Sequence, residues 1–596
     1  MDFVKLKGYS KVLSVMAVSA LLLAACNDDS EKAGTKSPAK EKPTKEVKQE
    51  DATAFPRATT NDKEALEDGH VNYGLVSDTP FEGILNYSFY EGAPDEEVIR
   101  LFDEGLLSAD EDYVYDQNGA ATYELSEDKK TITLKIQDQV KWHDGLPVTA
   151  ADLEYAYLVI GNKDYTGVRY DTQMAMIEGM EEYHAGKADT ISGIKAEGNE
   201  ISITFKEANP SVLTGLWTYP LHKEYLKDVK IKDLVESDKI RKEPIGFGPF
   251  KVKKIVQGEA VEYERFDDYW AGKPKAASFT LKVVNNSIAV KSLQNGDLDI
   301  ATVNADQMDS AKALKNIDVL GNLELAYTYI GFKLGRYDAE KEVSVMDRPK
   351  MQNKELRKAM AYAIDNNIVA EKFYKGLRFA ATSVIPTAFP KYHNTEMEGY
   401  KFDPEKAKSL LDEAKYVDKD GDGLREDPNG EKFTINFASM TGTDIAEPLS
   451  MLYIQQWKDV GLDVQLVDGK LAEFNSFYEM LQTDSEKVDI YQAAWGTGSD
   501  PDPSGIWAKG ASYNYTRWVN DKNDELLKQG ISEKAFDEAY RKDIYNQWQE
   551  LIHEEVPVIP TLFRYEFAAA NKRVTGFDLK LLEWDKVGVT EADPVK

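Results

Sequence analysis

The sequence predicts a mixed α/β fold, and two kinds of observation predict it: runs that alternate apolar and polar residues, and runs whose apolar residues recur at helical spacing, following one another along the chain. Thr131 to Ile136 places Ile132, Leu134 and Ile136 on one face, and Ile201, Ile203 and Phe205 repeat the pattern. Leu356, Ala359, Met360, Ala363 and Ile364 follow the i, i+3, i+4, i+7, i+8 spacing of one buried helix face.

The chain opens with Lys5, Lys7 and Lys11, then an apolar run from Val12 to Ala25 that stops at Leu23-Ala24-Ala25-Cys26. A positive leader, a short apolar stretch and small residues before a cut make a secretory signal. The run is too short for a permanent membrane span. Its last four residues resemble a bacterial lipobox, so residues 1–25 are read as a lipoprotein signal peptide and Cys26 as a lipid attachment site, palmitate included. Cys26 is the single cysteine of 596 residues and has no disulfide partner within the chain. Export and a lipid anchor in the outer leaflet of the cell membrane, on the extracytoplasmic face, follow. Residues 26–55 are polar and charged and read as a disordered tether.

The remaining length suffices for two to four domains with real cores. With 104 Asp and Glu against 73 Lys and Arg the formal net charge is −31, which argues against nucleic acid as a partner. Six histidines occur, without an HExxH, a GxSxG or a P-loop, so an enzyme has no support and no cofactor is expected.

Further along, Lys141-Trp142-His143-Asp144-Gly145 ends a strand in a turn, and Thr149 caps a helix with Asp152 reaching back as its box partner. His143 reads as a turn or core residue. Asp403-Pro404 supplies an N-cap and a first-turn proline for a helix lined by Ala407, Leu410, Leu411 and Ala414. Asp418, Asp420 and Asp422, with Gly423, copy half of a calcium loop, but position 12 is Asn429. Calcium needs six to eight oxygens, so a solvated turn before a strand at residues 433–437 is the favoured reading and the metal only a weak candidate. A strand follows Gly461 at Leu462, Val464 and Leu466. Phe536 to Ile552 reads as a late helix, and Val556 to Phe563 as an apolar strand.

The segment from Lys141 to Asp152 resembles the signature of the extracytoplasmic solute-binding proteins of peptide ABC importers. Ile245-Gly246-Phe247-Gly248-Pro249-Phe250, with Phe247 in place of Thr, resembles that family's glycine-proline-aromatic turn. Asn295 to Ile300, Leu356 to Asp365, Asp403 to Leu411, Asp420 to Gly423 and Val556-Pro557 match other landmarks in order. The opening Asp78 to Gly83 and the length are most similar to the long lactococcal-type members.

This resemblance implies two α/β lobes that close like a flytrap, the periplasmic-binding-protein fold, with an additional small domain on the first lobe. The implied division is 56–95 first lobe, 96–214 small domain, 215–300 first lobe again, 301–552 second lobe and 553–596 return. It implies a monomer that captures extended oligopeptides and delivers them to permease and ATPase subunits. In the family an acid following a tryptophan holds the peptide ammonium. Trp495 and Gly496, then Asp500 or Asp502, match that stretch, although Gly498-Ser499 lengthens it. Phe81 and Gly83 are expected to offer first-lobe backbone to the peptide. The same scaffold could serve a sugar, a metal chelate, haem or a signalling peptide. A surface hydrolase or adhesin is the third reading.

Overall fold

In the structure, a computed structural model that describes residues 55–110 and 113–595, the alternation of strands and helices is realised as two lobes sharing one long sheet. The leader, Cys26 and nearly all of the expected tether lie outside the described residues. Among the described residues no helix is long and apolar enough to cross a membrane.

Strand β1 (His70–Val76) buries Val71, Tyr73 and Leu75, the period-2 pattern of a half-buried strand. The helix Ala93–Ile99, with Pro94 in its first turn, leads to Leu101 and Phe102 in the same first-lobe core. The chain then makes an excursion through β2 (Ala121–Leu125), β3 (Thr131–Ile136), β4 (Ile194–Glu197) and β5 (Glu200–Thr204). These form a separate antiparallel sheet in the order β2-β3-β5-β4, packed with the helix Ala150–Ile160 over a core that contains Trp142, Leu153 and Tyr157. The predicted capping box is present: the Thr149 N–H donates to Asp152 Oδ2 at 2.8 Å. His143 is a turn residue as expected, its Nε2 3.0 Å from the Gly248 carbonyl, and burial pushes its pKa down to about 4.

The first lobe resumes with β6 (Phe250–Val256), β7 (Ala260–Arg265), β8 (Ser278–Val284) and β9 (Ile300–Thr302). Strand β1 runs parallel to both β8 and β9. The sixteen-residue β10 (Ile317–Phe332) then carries the chain into the second lobe. There a hairpin of β11 (Arg336–Asp338) and β12 (Val343–Val345) precedes the helix Lys354–Tyr362, β13 (Arg378–Ala380), the helix Pro404–Glu413, β14 (Thr434–Ala438), the helix Ala446–Asp459, β15 (Asp463–Leu466) and β16 (Ile490–Gly496). Asp403 accepts from the Lys406 N–H, the cap the sequence predicts. The helix Glu538–Glu555 packs Tyr545, Trp548 and Ile552 into the second-lobe core, and β17 (Val558–Asn571) returns.

The main sheet runs β15-β14-β16-β10-β17-β9-β1-β8-β7-β6, with β13 on β17. Its two central members, β10 and β17, are antiparallel and long enough to belong to both lobes. Their register slips between Leu323 and Tyr327, where three residues of β10 stand opposite Arg564 alone. Such an irregularity bends a strand pair, so this is the joint between the lobes. On either side of it the partners differ: β10 pairs with β16 from Ala326 onward, and β17 with β9 from Ala568 onward. The helix Met308–Lys312 still packs with first-lobe Leu293 and Val284, and the strand predicted to end at Phe563 continues to Asn571. Val98, Ile99, Leu101 and Phe102 pack in the first-lobe core.

Candidate functional site

The lobes meet across a cleft in which two adjoining chambers remain. One, of about 250 Å³, is lined by Tyr157, Met174, Ile177, Phe205 and Val212 of the small domain and by Leu216, with Arg169 among these mostly apolar groups. The other, of about 280 Å³, is lined by residues 497–503, together with Tyr115, Tyr219, Tyr327, Phe389 and Trp507. Asp171, Gln173, Gly215, Leu216, Trp217, Trp495 and Gly505 line both, so the two chambers share a wall. Neither lining includes a histidine.

Local sequence explains how these groups are held. Asp171 Oδ1 accepts the Met174 N–H at 2.8 Å and caps the short helix Thr172–Ala175, which presents Gln173 to the cleft. On the second lobe β16 ends at Gly496. The following loop is fixed by the Thr497 N–H, which donates to the Leu325 carbonyl at 2.8 Å, tying it to the joint. Asp500 and Asp502 close the loop as successive turns: Asp500 Oδ1 accepts the Asp502 N–H (2.9 Å), and Asp502 Oδ1 accepts the Ser504 hydroxyl (2.8 Å).

Three hydrogen bonds bridge the small domain and the second lobe around this loop. Gln173 Nε2 donates to Asp502 Oδ2 at 3.0 Å, and the Ser499 hydroxyl donates to the Thr214 carbonyl at 2.7 Å. Arg541 donates through Nη2 both to the Ser211 hydroxyl (2.9 Å) and to Asp500 Oδ1 (3.2 Å). Farther out, His184 Nε2 lies 3.0 Å from Glu342 on the β11–β12 turn, with the imidazole stacked on Tyr170. The lobes are thus closed on one another.

The two predicted acids differ in their surroundings. Asp500 is 8% exposed, and its charge is matched by Arg541; Oδ2 has no hydrogen-bond partner among the described residues and sits where a Cβ on Gly215 would come within 2.8 Å. Among the described residues Asp502 has no cation in direct contact. Burial and the neighbouring Asp500 charge push its pKa up to about 6, against the pull of Gln173, Ser504 and Arg541. Trp495 lines both chambers, 5.1 Å from the Tyr513 ring. Gly496 precedes the loop and is exposed.

Phe81 and Gly83 are not brought to the chambers. Phe81 is 1% exposed in the first-lobe core, and Gly83 adopts φ +82 packed against Gln257, inside a loop whose Glu82 and Ile84 N–H groups donate to Asp95. Their apolar and glycine character serves packing and turn geometry. The Asp418, Asp420 and Asp422 carboxylates do converge, within 4.8 Å, on the surface. They accept N–H groups of their own loop, Gly421 and Gly423 on Asp418 and Leu424 on Asp422, as a turn requires.

Sequence reasoning missed Arg169, Asp171, Gln173, Arg541 and the Gly215–Trp217 wall. Arg541 lies forty-one positions from Asp500 on a helix that reads as structural.

Residues 117–517 match the family described as bacterial extracellular solute-binding proteins, family 5 Middle. The oligopeptide-binding protein OppA of Lactococcus lactis subsp. cremoris (strain SK11) is 35% identical over 505 residues, 82% of this chain and 84% of that protein. The oligopeptide-binding protein AppA of Bacillus subtilis (strain 168) is 28% identical over 453 residues, 74% and 77% of the two chains. Among solved structures, lactococcal OppA complexed with an endogenous peptide in the closed conformation superposes with a TM-score of 0.85 at 33% identity, covering 87% of this chain and 100% of that one. AppA of Bacillus subtilis in complex with a nonapeptide gives a TM-score of 0.76 at 23% identity over 89% and 100%, a likeness of fold.

Proposed function

The chain belongs to the bacterial extracellular solute-binding proteins of family 5, and from that premise we propose that it captures oligopeptides between its two lobes and presents them to the permease and ATPase subunits of an ABC importer. The observation that carries this reading is the pair of adjoining chambers enclosed by both lobes, at the place where strand β16 ends and Asp500 and Asp502 line the wall. It is supported by 33% identity over 87% of the chain with a lactococcal structure that holds a peptide.

A peptide bridging both lobes stabilises the closed arrangement by the contacts it makes only there. Its free N-terminus is a cation that needs a desolvated carboxylate. Asp500 is already matched by Arg541, so Asp502 is the carboxylate that gains a counter-charge from the ligand. Trp495 walls the same space with an apolar face. Aromatic walls and water-filled chambers accept many side chains.

On this reading the chain is a binding protein without turnover, acts as a monomer, and is held to the outer face of the cell membrane by lipid on Cys26. More than one acyl chain gives a stable anchor, at about 0.8 kcal/mol per buried CH₂. Native mass spectrometry of the chain purified from peptide-rich medium tests the ligand class. A spread of bound masses that fragment as peptides is expected. A chain that is ligand-free and ignores added peptides would reject the proposal.

A further inference from the structure

We propose that Arg169 is a specificity-determining residue that binds a carboxylate of the ligand in the smaller chamber. The inference rests on the peptide reading above. Arg169 lines a chamber whose other walls are mostly apolar, among them Val168, Ile177, Phe205 and Leu216. Its Nε donates to the Tyr87 carbonyl at 3.2 Å and its Nη2 to the Tyr90 carbonyl at 2.7 Å, while the guanidinium lies 4.4 Å over the Tyr90 ring. These contacts fix the plane of the group. They use two of its five N–H donors.

A further donor is taken by the Tyr513 hydroxyl, and among the described residues Arg169 makes no ion pair. The acids in its neighbourhood are committed elsewhere. Asp171 Oδ1 caps the helix Thr172–Ala175, Glu91 accepts from Gln482, and Glu96 pairs with Arg100 at 2.9 Å. A cation held half-buried without a counter-ion is costly. A planar guanidinium fixed by two carbonyls is also the geometry that receives a carboxylate through two parallel hydrogen bonds.

The chamber therefore combines an apolar wall with one oriented cation and, two positions on, the Asp171 carboxylate, whose Oδ1 is taken by the Met174 N–H. It suits a ligand group that is apolar along its body and anionic at its end. The C-terminal residue of a peptide meets that description, and so does a glutamate side chain. Asp502 stands in the adjoining chamber, so a ligand spanning both chambers meets opposite charges in them.

Isothermal titration of the chain with two pairs of peptides tests this. One pair differs only in a free carboxylate or an amide at the C-terminus. The other differs only in Glu or Gln at one internal position, with the C-terminus amidated. A charge-assisted pair predicts that the carboxylate member of one pair binds at least about tenfold more tightly, and which pair shows it identifies the source of the carboxylate. In Arg169→Gln that preference falls below about twofold, whereas loss of a purely structural contact weakens both members equally. Arg169→Lys, which keeps the charge without the fork, retains part of the preference. Equal binding within both pairs by the wild-type chain overturns the proposal, as does a preference that survives Arg169→Gln. Failure of every peptide to bind rejects the peptide reading and this inference with it.

Discussion

Asp500 and Asp502 stand two positions apart on one loop, yet their neighbours give them different work. Asp500 shares its buried site with Arg541, which also donates to the Gly530 carbonyl and the Ser211 hydroxyl. Removing the guanidinium in Arg541→Ala leaves a buried carboxylate without compensation. We expect it to cost about 3–5 kcal/mol, read as a lower urea midpoint. Asp502 behaves differently. Its pKa of about 6 in the ligand-free chain means that it is mostly protonated at pH 5 and mostly ionised at pH 7. A peptide ammonium favours the ionised form, so affinity rises with pH through this window. Between pH 5 and 7 the ionised fraction changes about tenfold, and so should the dissociation constant, because the peptide amine stays charged over that range. Calorimetry at the two pH values checks this, and Asp502→Asn should flatten the dependence. The acids themselves were legible in the sequence, because a tryptophan and a run of Asp and Pro mark the loop. Their difference was not, since it is made by Arg541 and by Gln173, both remote in sequence.

Elements with strong local signals were read correctly, and those set by tertiary pairing were not. The box of Thr149 and Asp152, the cap at Asp403 and the alternation of Thr131 to Ile136 each depend on neighbours within a few residues. The structure has all three. Strand β17 reads in sequence as ending at Phe563, because Arg564 and Glu566 interrupt the apolar run. It continues to Asn571 because β10 and β9 supply partners on both sides. At the interruption Arg564 pairs with Glu324 across the joint, and Asn322 donates to Glu566 at 2.9 Å. Those polar residues mark where one lobe gives way to the next. Helices of the second lobe are anchored by large buried rings. Trp457 on the helix Ala446–Asp459 is fully buried, and its indole N–H donates to the Met360 carbonyl at 3.0 Å. Trp457→Ala should cost about 3–5 kcal/mol, measured by chemical denaturation, and leave the chamber walls in place.

The whole molecule is held closed by contacts between its lobes. The small domain and the second lobe touch through Gln173 and Asp502, Ser211 and Arg541, Thr214 and Ser499, and His184 and Glu342. Each pair would be separated if the lobes opened about the joint at Leu323 to Tyr327. Polar contacts of this kind are individually weak, and the His184 pair is partly exposed, which limits it to about 0–1 kcal/mol. They hold the closed form only marginally, so a ligand that fills the two chambers should decide the balance. The two-lobed plan was legible from the order of landmarks along the chain. The shape of the enclosed space was not, because it is built from the small domain and the second lobe, whose contributing residues lie some three hundred positions apart. Small-angle X-ray scattering of the chain, first freed of ligand by unfolding and refolding and then given peptide, tests closure most directly. A radius of gyration that falls on peptide addition and saturates with binding is the predicted result. Peptide binding with no change in the scattering profile would contradict it.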